Sequence, residues 1–183
     1  TVRVLAQFTN ATPFHLRWAP DGRRLGFIVG DSAHSELEIT DIDGVAPVRV
    51  ALVDLEGGRP PWSWAPQGIV LPDSEPGSYR LIDPDTRSQR VLAAGGSISR
   101  TYTPLLSPDG QTLIVARWRP WGFANDLWLH AAGTGRWMPL TYTGGSDPDL
   151  VRWDQRGITA AIHLYQPGQR YEIARSPAAG APF

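Results

Sequence analysis

A turn motif recurs four times along this chain, and the recurrence limits the possible fold more than any other feature. The copies are Trp18-Ala19-Pro20-Asp21-Gly22, Trp64-Ala65-Pro66-Gln67-Gly68, Leu106-Ser107-Pro108-Asp109-Gly110 and Trp153-Asp154-Gln155-Arg156-Gly157. Their closing glycines stand 46, 42 and 47 residues apart. A tandem period of this length is typical of a repeat architecture in which each copy is one small sheet, or blade.

The motif itself has the chemistry of a hairpin turn. Proline presets φ at the second position of a type I turn, aspartate suits the third, and glycine takes the left-handed conformation that closes the hairpin. Tryptophan precedes the turn in three copies and leucine in the other, and a large side chain there can fill the wedge between neighbouring sheets. The motif is therefore predicted to be structural and not an active site.

Short β-rich runs lie between the turns, and none has a helical period. Three such runs are predicted in each copy: 14–18, 24–29 and 36–42; 62–64, 68–71 and 78–83; 103–107, 112–118 and 126–131; 149–153, 158–163 and 170–175. A fourth type of strand precedes the later copies at 47–52, 88–92 and 136–140, and residues 1–9 resemble it. The sequence predicts an all-β protein with four four-stranded antiparallel blades.

Ala-Pro-Asp-Gly and Ser-Pro-Asp-Gly, each followed by an apolar strand, resemble the WD40-like repeats of TolB-type β-propellers. The resemblance covers nearly the whole chain. It implies a bacterial β-propeller that serves as a protein-interaction platform or as an accessory domain of a peptidase or lyase. It also implies a periplasmic or extracellular location, although a cytoplasmic one stays open.

Residues 1–9 are predicted to complete the last blade as its outer strand, because this pairing leaves no open sheet edge. The closure is expected within one chain or between two chains as an eight-bladed ring, and a fragment of a longer propeller is the alternative. The predicted domain is 1–175, with blades at about 10–52, 60–92, 102–140 and 149–175 plus 1–9, followed by a flexible tail at 176–183.

The composition argues against several classes of partner. The net charge is -1 and the 17 basic residues form no basic run, which disfavours nucleic-acid binding. The chain has no cysteine, and hence no disulfide framework or thiolate metal site. No window is long and apolar enough to predict a membrane span.

No pattern typical of catalysis or metal binding occurs in the sequence. No serine has a Gly-x-Ser-x-Gly elbow, and the four histidines are scattered over different repeats. The acidic pairs at 41–43 and 83–85 fall at predicted hairpins, where aspartate is a common turn former, and a third pair lies at 147–149. We predict no catalytic residue, no metal site and no cofactor.

One predicted loop has the composition of an interface. The segment 117–125 sets arginine beside aromatic residues, which are common anchors at protein interfaces. The predicted binding residues are Arg119, Trp121 and Phe123 in this loop, with Arg59, Arg100 and Tyr102 in the connections between blades. Alternatively, Trp121 and Phe123 fold back over the blade.

The predicted function is a non-catalytic binding or scaffold module for a protein or small ligand. The alternative is an accessory propeller of a prolyl-oligopeptidase-like hydrolase, or of a lyase. In that case the catalytic part lies outside this chain.

Overall fold

The computed structural model is all-β in the part of the chain that it describes. The described residues are 2, 4–9, 11–30, 34–53, 62–75, 77–94, 104–118, 125–132, 134–140, 146–154, 157–164 and 170–176. They form fifteen strands in four antiparallel sheets, and the all-β class and the four sheets are as predicted.

Each sheet corresponds to one sequence repeat and is called a blade below. Blade 1 contains β1 (Phe14–Trp18), β2 (Arg24–Gly30), β3 (Ser35–Asp41) and β4 (Val48–Val53). Blade 2 contains β5 (Ser63–Ala65), β6 (Gly68–Pro72), β7 (Tyr79–Ile82) and β8 (Gln89–Ala93). Blade 3 contains β9 (Leu105–Leu106), β10 (Thr112–Trp118), β11 (Asn125–Ala131) and β12 (Arg136–Pro139). Blade 4 contains β13 (Ser146–Asp154), β14 (Gly157–Leu164) and β15 (Arg170–Ser176).

Consecutive strands pair within every blade, so each blade is an antiparallel meander. The first strands of the blades contact one another in the order β1, β5, β9 and β13, which makes them the inner strands of the array. The described sheets do not close into a ring.

The two Pro-Asp-Gly copies form the predicted turn. The amide of Gly22 donates to the carbonyl of Ala19 at 2.9 Å, and that of Gly110 donates to Ser107 at the same distance. Both glycines are left-handed, with φ of 69° and 73°. Asp109 accepts a hydrogen bond from the Gln111 amide at 3.0 Å, which fixes the third position of the turn.

The other two copies, which lack the Pro-Asp pair, make tighter hairpins. Ala65 pairs with Gly68 and Asp154 pairs with Gly157, so two residues lie between the paired positions in each hairpin. The closing glycines have φ of 139° and 110°, outside the region that other residues adopt readily. A degenerate motif therefore corresponds to a different turn at the same place in the blade.

The hydrophobic core consists of one cluster at each junction between neighbouring blades. Blades 1 and 2 bury Ile28, Leu37, Trp62, Ile69 and Ile82, with Trp64 packed against them. Blades 2 and 3 bury Val70, Leu81, Leu106, Leu113 and Val115. Blades 3 and 4 bury Ile114, Leu127, Leu129 and Ile158, with Trp153 packed against them. The residue before the turn thus fills the wedge at all three junctions, as predicted.

Trp18 is the exception, because no blade precedes it in the described structure. Its Cα partner is Leu25, just as Trp64 is paired with Ile69 and Trp153 with Ile158. Trp18 occupies the equivalent position in blade 1 and therefore faces away from blade 2. This residue is 56% exposed. We call this face of blade 1 the open face.

The predicted outer strand of blade 4 does not form within one chain in the described residues, and its pairing between two chains stays a prediction. Residues 2 and 4–9 form no strand, and the described blade 4 has three strands. Phe8 instead lies on the open face of blade 1, where its ring meets Phe27 edge to face with the centroids 5.4 Å apart. The physical reason is that Phe27 is a large buried side chain with no preceding blade to cover it, and the Phe8 ring provides that cover.

Candidate functional site

The four blades present two different ends. The hairpins between the first and second strands and between the third and fourth strands lie at one end, called the turn end. The connections from second to third strands and from one blade to the next lie at the other, called the loop end. Its rim is marked by the Cα pairs Gly30–Ser35, Pro72–Tyr79, Trp118–Asn125 and Leu164–Arg170.

All six residues predicted to bind a partner belong to loop-end connections. They are Arg59, Arg100, Tyr102, Arg119, Trp121 and Phe123, and they lie outside the described residues. Their role stays a prediction.

The described rim next to residues 119–124 contains a buried acid. Asp126, the second residue of β11, is only 2% exposed. It lies on the row of β11 that includes Trp128, which packs toward blade 2. Burial of a carboxylate requires compensating polar contacts, so Asp126 is a fixed element of the blade 3 rim. No motif in the sequence distinguished it from an ordinary exposed acid.

The described part of the turn end contains a cleft of about 430 Å³ between blades 1 and 2. Arg24 is central to it. The guanidinium Nη1 donates to Asp85 of blade 2 at 2.8 Å, and Nε donates to Asp21 of its own turn at 3.0 Å. The same group lies over the Trp64 ring, 5.4 Å from its centroid. Arg24 thus connects two blades by an ion pair and a cation–π contact.

Two of the carboxylates at this cleft, those of Asp21 and Asp83, have lowered pKa values that favour the ionised form. The amide of Arg23 donates to Asp21 and, with Arg24, lowers the pKa of that carboxyl. The amides of Thr86 and Asp85 donate to Asp83 at 2.9 and 2.8 Å and lower its pKa in the same way. An acid that is already committed to turn hydrogen bonds is poorly suited to general acid catalysis, so the cleft has the properties of a structural seam.

The acidic pairs at the hairpins are turn formers, as predicted. Asp41 accepts hydrogen bonds from the amides of Asp43 and Val45 at 2.8 and 3.2 Å. In blade 2, Asp83 accepts hydrogen bonds from the amides of Asp85 and Thr86 at 2.8 and 2.9 Å. The third pair, 147–149, lies within β13. In the described ranges, no three His, Asp or Glu side chains are arranged to hold a metal ion.

His130 is buried at the junction of blades 2 and 3. It is 5% exposed, and its ring lies 4.8 Å from that of Trp137. Burial lowers its pKa, against a smaller effect of a hydrogen bond with the Gly135 backbone. The imidazole is therefore a packed, neutral side chain at pH 7.

Solved structures share this fold over most of the chain. TolB from Acinetobacter baumannii superposes with a TM-score of 0.60 at 17% identity, over 90% of this chain and 44% of that one. A prolyl endopeptidase gives 0.59 at 19% identity, over 92% and 28%. An oligogalacturonate lyase from Vibrio parahaemolyticus gives 0.59 at 14% identity, over 89% and 49%. No protein-family model and no curated protein matches the sequence.

The similarities establish a TolB-like β-propeller fold, because each superposition covers about nine-tenths of this chain. They do not extend to an activity, since the chain spans less than half of each of these three structures. None of the described segments is a helix that could span a membrane.

Proposed function

We propose that this chain is a non-catalytic binding module that recognises a protein or small ligand through the loop end of its blades. The difference between the two ends is the observation that supports it. At the turn end, short hairpins use their own acids and amides to satisfy one another, as Asp41, Asp83 and Asp109 do. The longest connections between consecutive strands, 54–62 and 94–104, belong to the loop end. Long connections on a rigid scaffold are the usual carriers of recognition.

Within this end, we propose the connection between β10 and β11 as the centre of the binding surface. Its residues Arg119, Trp121 and Phe123 have the composition of interface anchors, and Arg59, Arg100 and Tyr102 extend the surface along the connections between blades. The scaffold under it is firm, because β10 and β11 pair over their whole length from Thr112–Ala131 to Trp118–Asn125.

The double variant Trp121→Ser/Phe123→Ser tests the proposal. Val91→Ser is the control, because Val91 is 61% exposed on the outer strand of blade 2. A displayed library of random peptides is panned on the wild-type protein, and the enriched peptides are then measured against both variants. We expect the control to bind these peptides as the wild type does, and the double variant to bind them at least tenfold more weakly with an unchanged melting temperature. Equal binding by all three proteins would reject this surface, and a lower melting temperature with intact binding would show that the two aromatics pack on the blade.

The second candidate is an accessory propeller of a hydrolase or lyase, favoured by the similarity to a prolyl endopeptidase and an oligogalacturonate lyase. The sequence of the complete reading frame separates the two. An α/β-hydrolase segment following this chain would support the accessory role, whereas further propeller repeats alone would support the binding module.

A further inference from the structure

The open face of blade 1 is one half of a blade junction. At the three junctions inside the chain, the residue before the first turn packs against the preceding blade, as Trp64 and Trp153 do. Trp18 has the same register in its own blade but is more than half exposed. A tryptophan that packs against the preceding blade in two other copies and is mostly exposed here indicates a surface that is incomplete without a neighbour.

Phe8 shows what kind of element belongs on this face. Phe27 lies two residues after Leu25 on β2, and the matching position in blade 2 is Leu71, two residues after Ile69. Leu71 is covered by a cluster that includes Val53 from the outer strand of the preceding blade. Phe8 covers Phe27 in the corresponding way. The N-terminal segment therefore lies where the outer strand of a preceding blade would lie, without a sheet to pair with.

Blade 4 carries the other half of the junction. Ile158 packs toward blade 3, and its Cα partner on β15 is Ser176. Ile173 is three positions from Ser176, so it lies on the opposite face of the sheet, where it is 82% exposed. In the described sheet β15 pairs only with β14, which leaves its other edge available to one more strand.

We propose that these two halves meet between two copies of this chain. Blade 4 of one copy packs on the open face of blade 1 of the other, covering Trp18, and the segment containing Phe8 pairs with β15 as the fourth strand of the partner's last blade. The twofold-related junction forms at the same time, so two four-bladed chains close into one eight-bladed ring. A second copy is the proposed occupant because blade 4 of this chain presents an exposed apolar side chain, Ile173, and an unpaired edge on β15.

The mass of the 183-residue chain in solution tests the proposal directly. We expect light scattering after size exclusion to give twice the 20.1 kDa chain mass. A monomeric wild type would overturn the proposal whatever the variants do, because a chain that satisfies its own open face needs no partner. Complexes larger than a dimer that grow with concentration would also overturn it, since they would show that the junctions do not close.

Trp18→Glu and Ile173→Glu identify the faces that are used. Loss of one buried tryptophan contact weakens an interface by about 30-fold, and the ring contains two such contacts, so we expect the dissociation constant of Trp18→Glu to rise by about 1000-fold. Ile173→Glu should also shift the chain toward the monomer. Val91→Glu, on an exposed outer strand that does not belong to the proposed junction, should remain dimeric. Far-UV circular dichroism confirms that each variant is folded.

Mixing the two variants distinguishes the head-to-tail junction from other dimers. Trp18→Glu keeps an intact blade 4, and Ile173→Glu keeps an intact open face, so a mixed dimer has one unaltered junction. We expect the mixture to contain dimers at a concentration at which neither variant alone does. If each variant dimerises normally, or if mixing restores nothing, then these faces do not form the interface.

Discussion

Backbone conformation at single residues fixes the hairpins of this fold. Gly68 combines a φ of 139° with a close approach of the chain, since a Cβ at this position would lie 2.5 Å from the carbonyl oxygen of Ile82. Gly22 fills the equivalent place in blade 1, with φ of 69° and nothing within 4 Å of a Cβ. The two glycines share a place in the motif and differ in what surrounds them.

This difference predicts unequal effects of the same substitution. Gly68→Ala should lower the free energy of unfolding by about 2–4 kcal/mol, because backbone strain is added to a clash with a backbone atom that cannot move freely. The matched control Gly22→Ala should lower it by about 1 kcal/mol, since it adds left-handed strain alone. Urea unfolding followed by circular dichroism measures both. Equal losses would contradict the role assigned to the Ile82 carbonyl.

At this scale the sequence predicted what is local and missed what is distant. The left-handed glycines and the turn acids follow from neighbouring residues, and both predictions are confirmed at Gly22, Gly110 and Asp83. The ion pair between Arg24 and Asp85 joins residues 61 positions apart in the sequence. Nothing near either residue indicates the other, because the contact exists only after two blades have packed.

Strands were predicted well because their hydrophobic pattern is strong and their turns are marked. β1 begins and ends where predicted, and β10 coincides with the predicted run at 112–118. Residues 2 and 4–9 have the same β-rich composition but form no strand, because the segment lies on the open face of blade 1, away from the unpaired edge of β15 in blade 4. Composition identified the type of segment, and the available edge decides its conformation. The predicted binding residues lie outside the described residues, so their role stays a prediction.

The junction between blades 2 and 3 should respond to pH through His130. Its pKa in the folded protein lies below the unfolded value of 6.5, so the unfolded chain binds the proton more strongly. The contribution of His130 to the free energy of unfolding is therefore fully present above about pH 6.5. It decreases as the pH falls from there through the folded-state pKa, by at most about 1.4 kcal/mol per pH unit.

Replacing this histidine isolates its contribution. His130→Phe keeps an aromatic ring against Trp137 and removes the titration, so the difference in unfolding free energy between wild type and variant should be constant above pH 7 and change as the pH falls below 6.5. Denaturant unfolding at a series of pH values measures it. The other three histidines are present in both proteins and cancel. Parallel pH profiles would show that His130 keeps its ordinary pKa.

The whole molecule depends on the cover that the N-terminal segment gives to the open face. Removal of residues 1–9 exposes the Phe27 ring, which Phe8 contacts, and we expect the truncated chain to melt at a lower temperature and to aggregate, as measured by static light scattering during heating. Phe8→Ser in the full-length chain is the milder control, and it should lower the melting temperature without the same aggregation. An unchanged melting curve for the truncated chain would show that the segment contributes nothing to the fold.

The three separate core clusters make the protein a one-dimensional system in which each blade has direct energetic coupling only to its neighbours. Blades 2 and 3 are supported on both faces, whereas blades 1 and 4 are supported on one. In an array that stays open, local opening starts at blades 1 and 4, and amide hydrogen exchange is slowest in β6, β7, β10 and β11. A circular array has no terminal blades, so ring closure would make this gradient of protection nearly uniform along the chain.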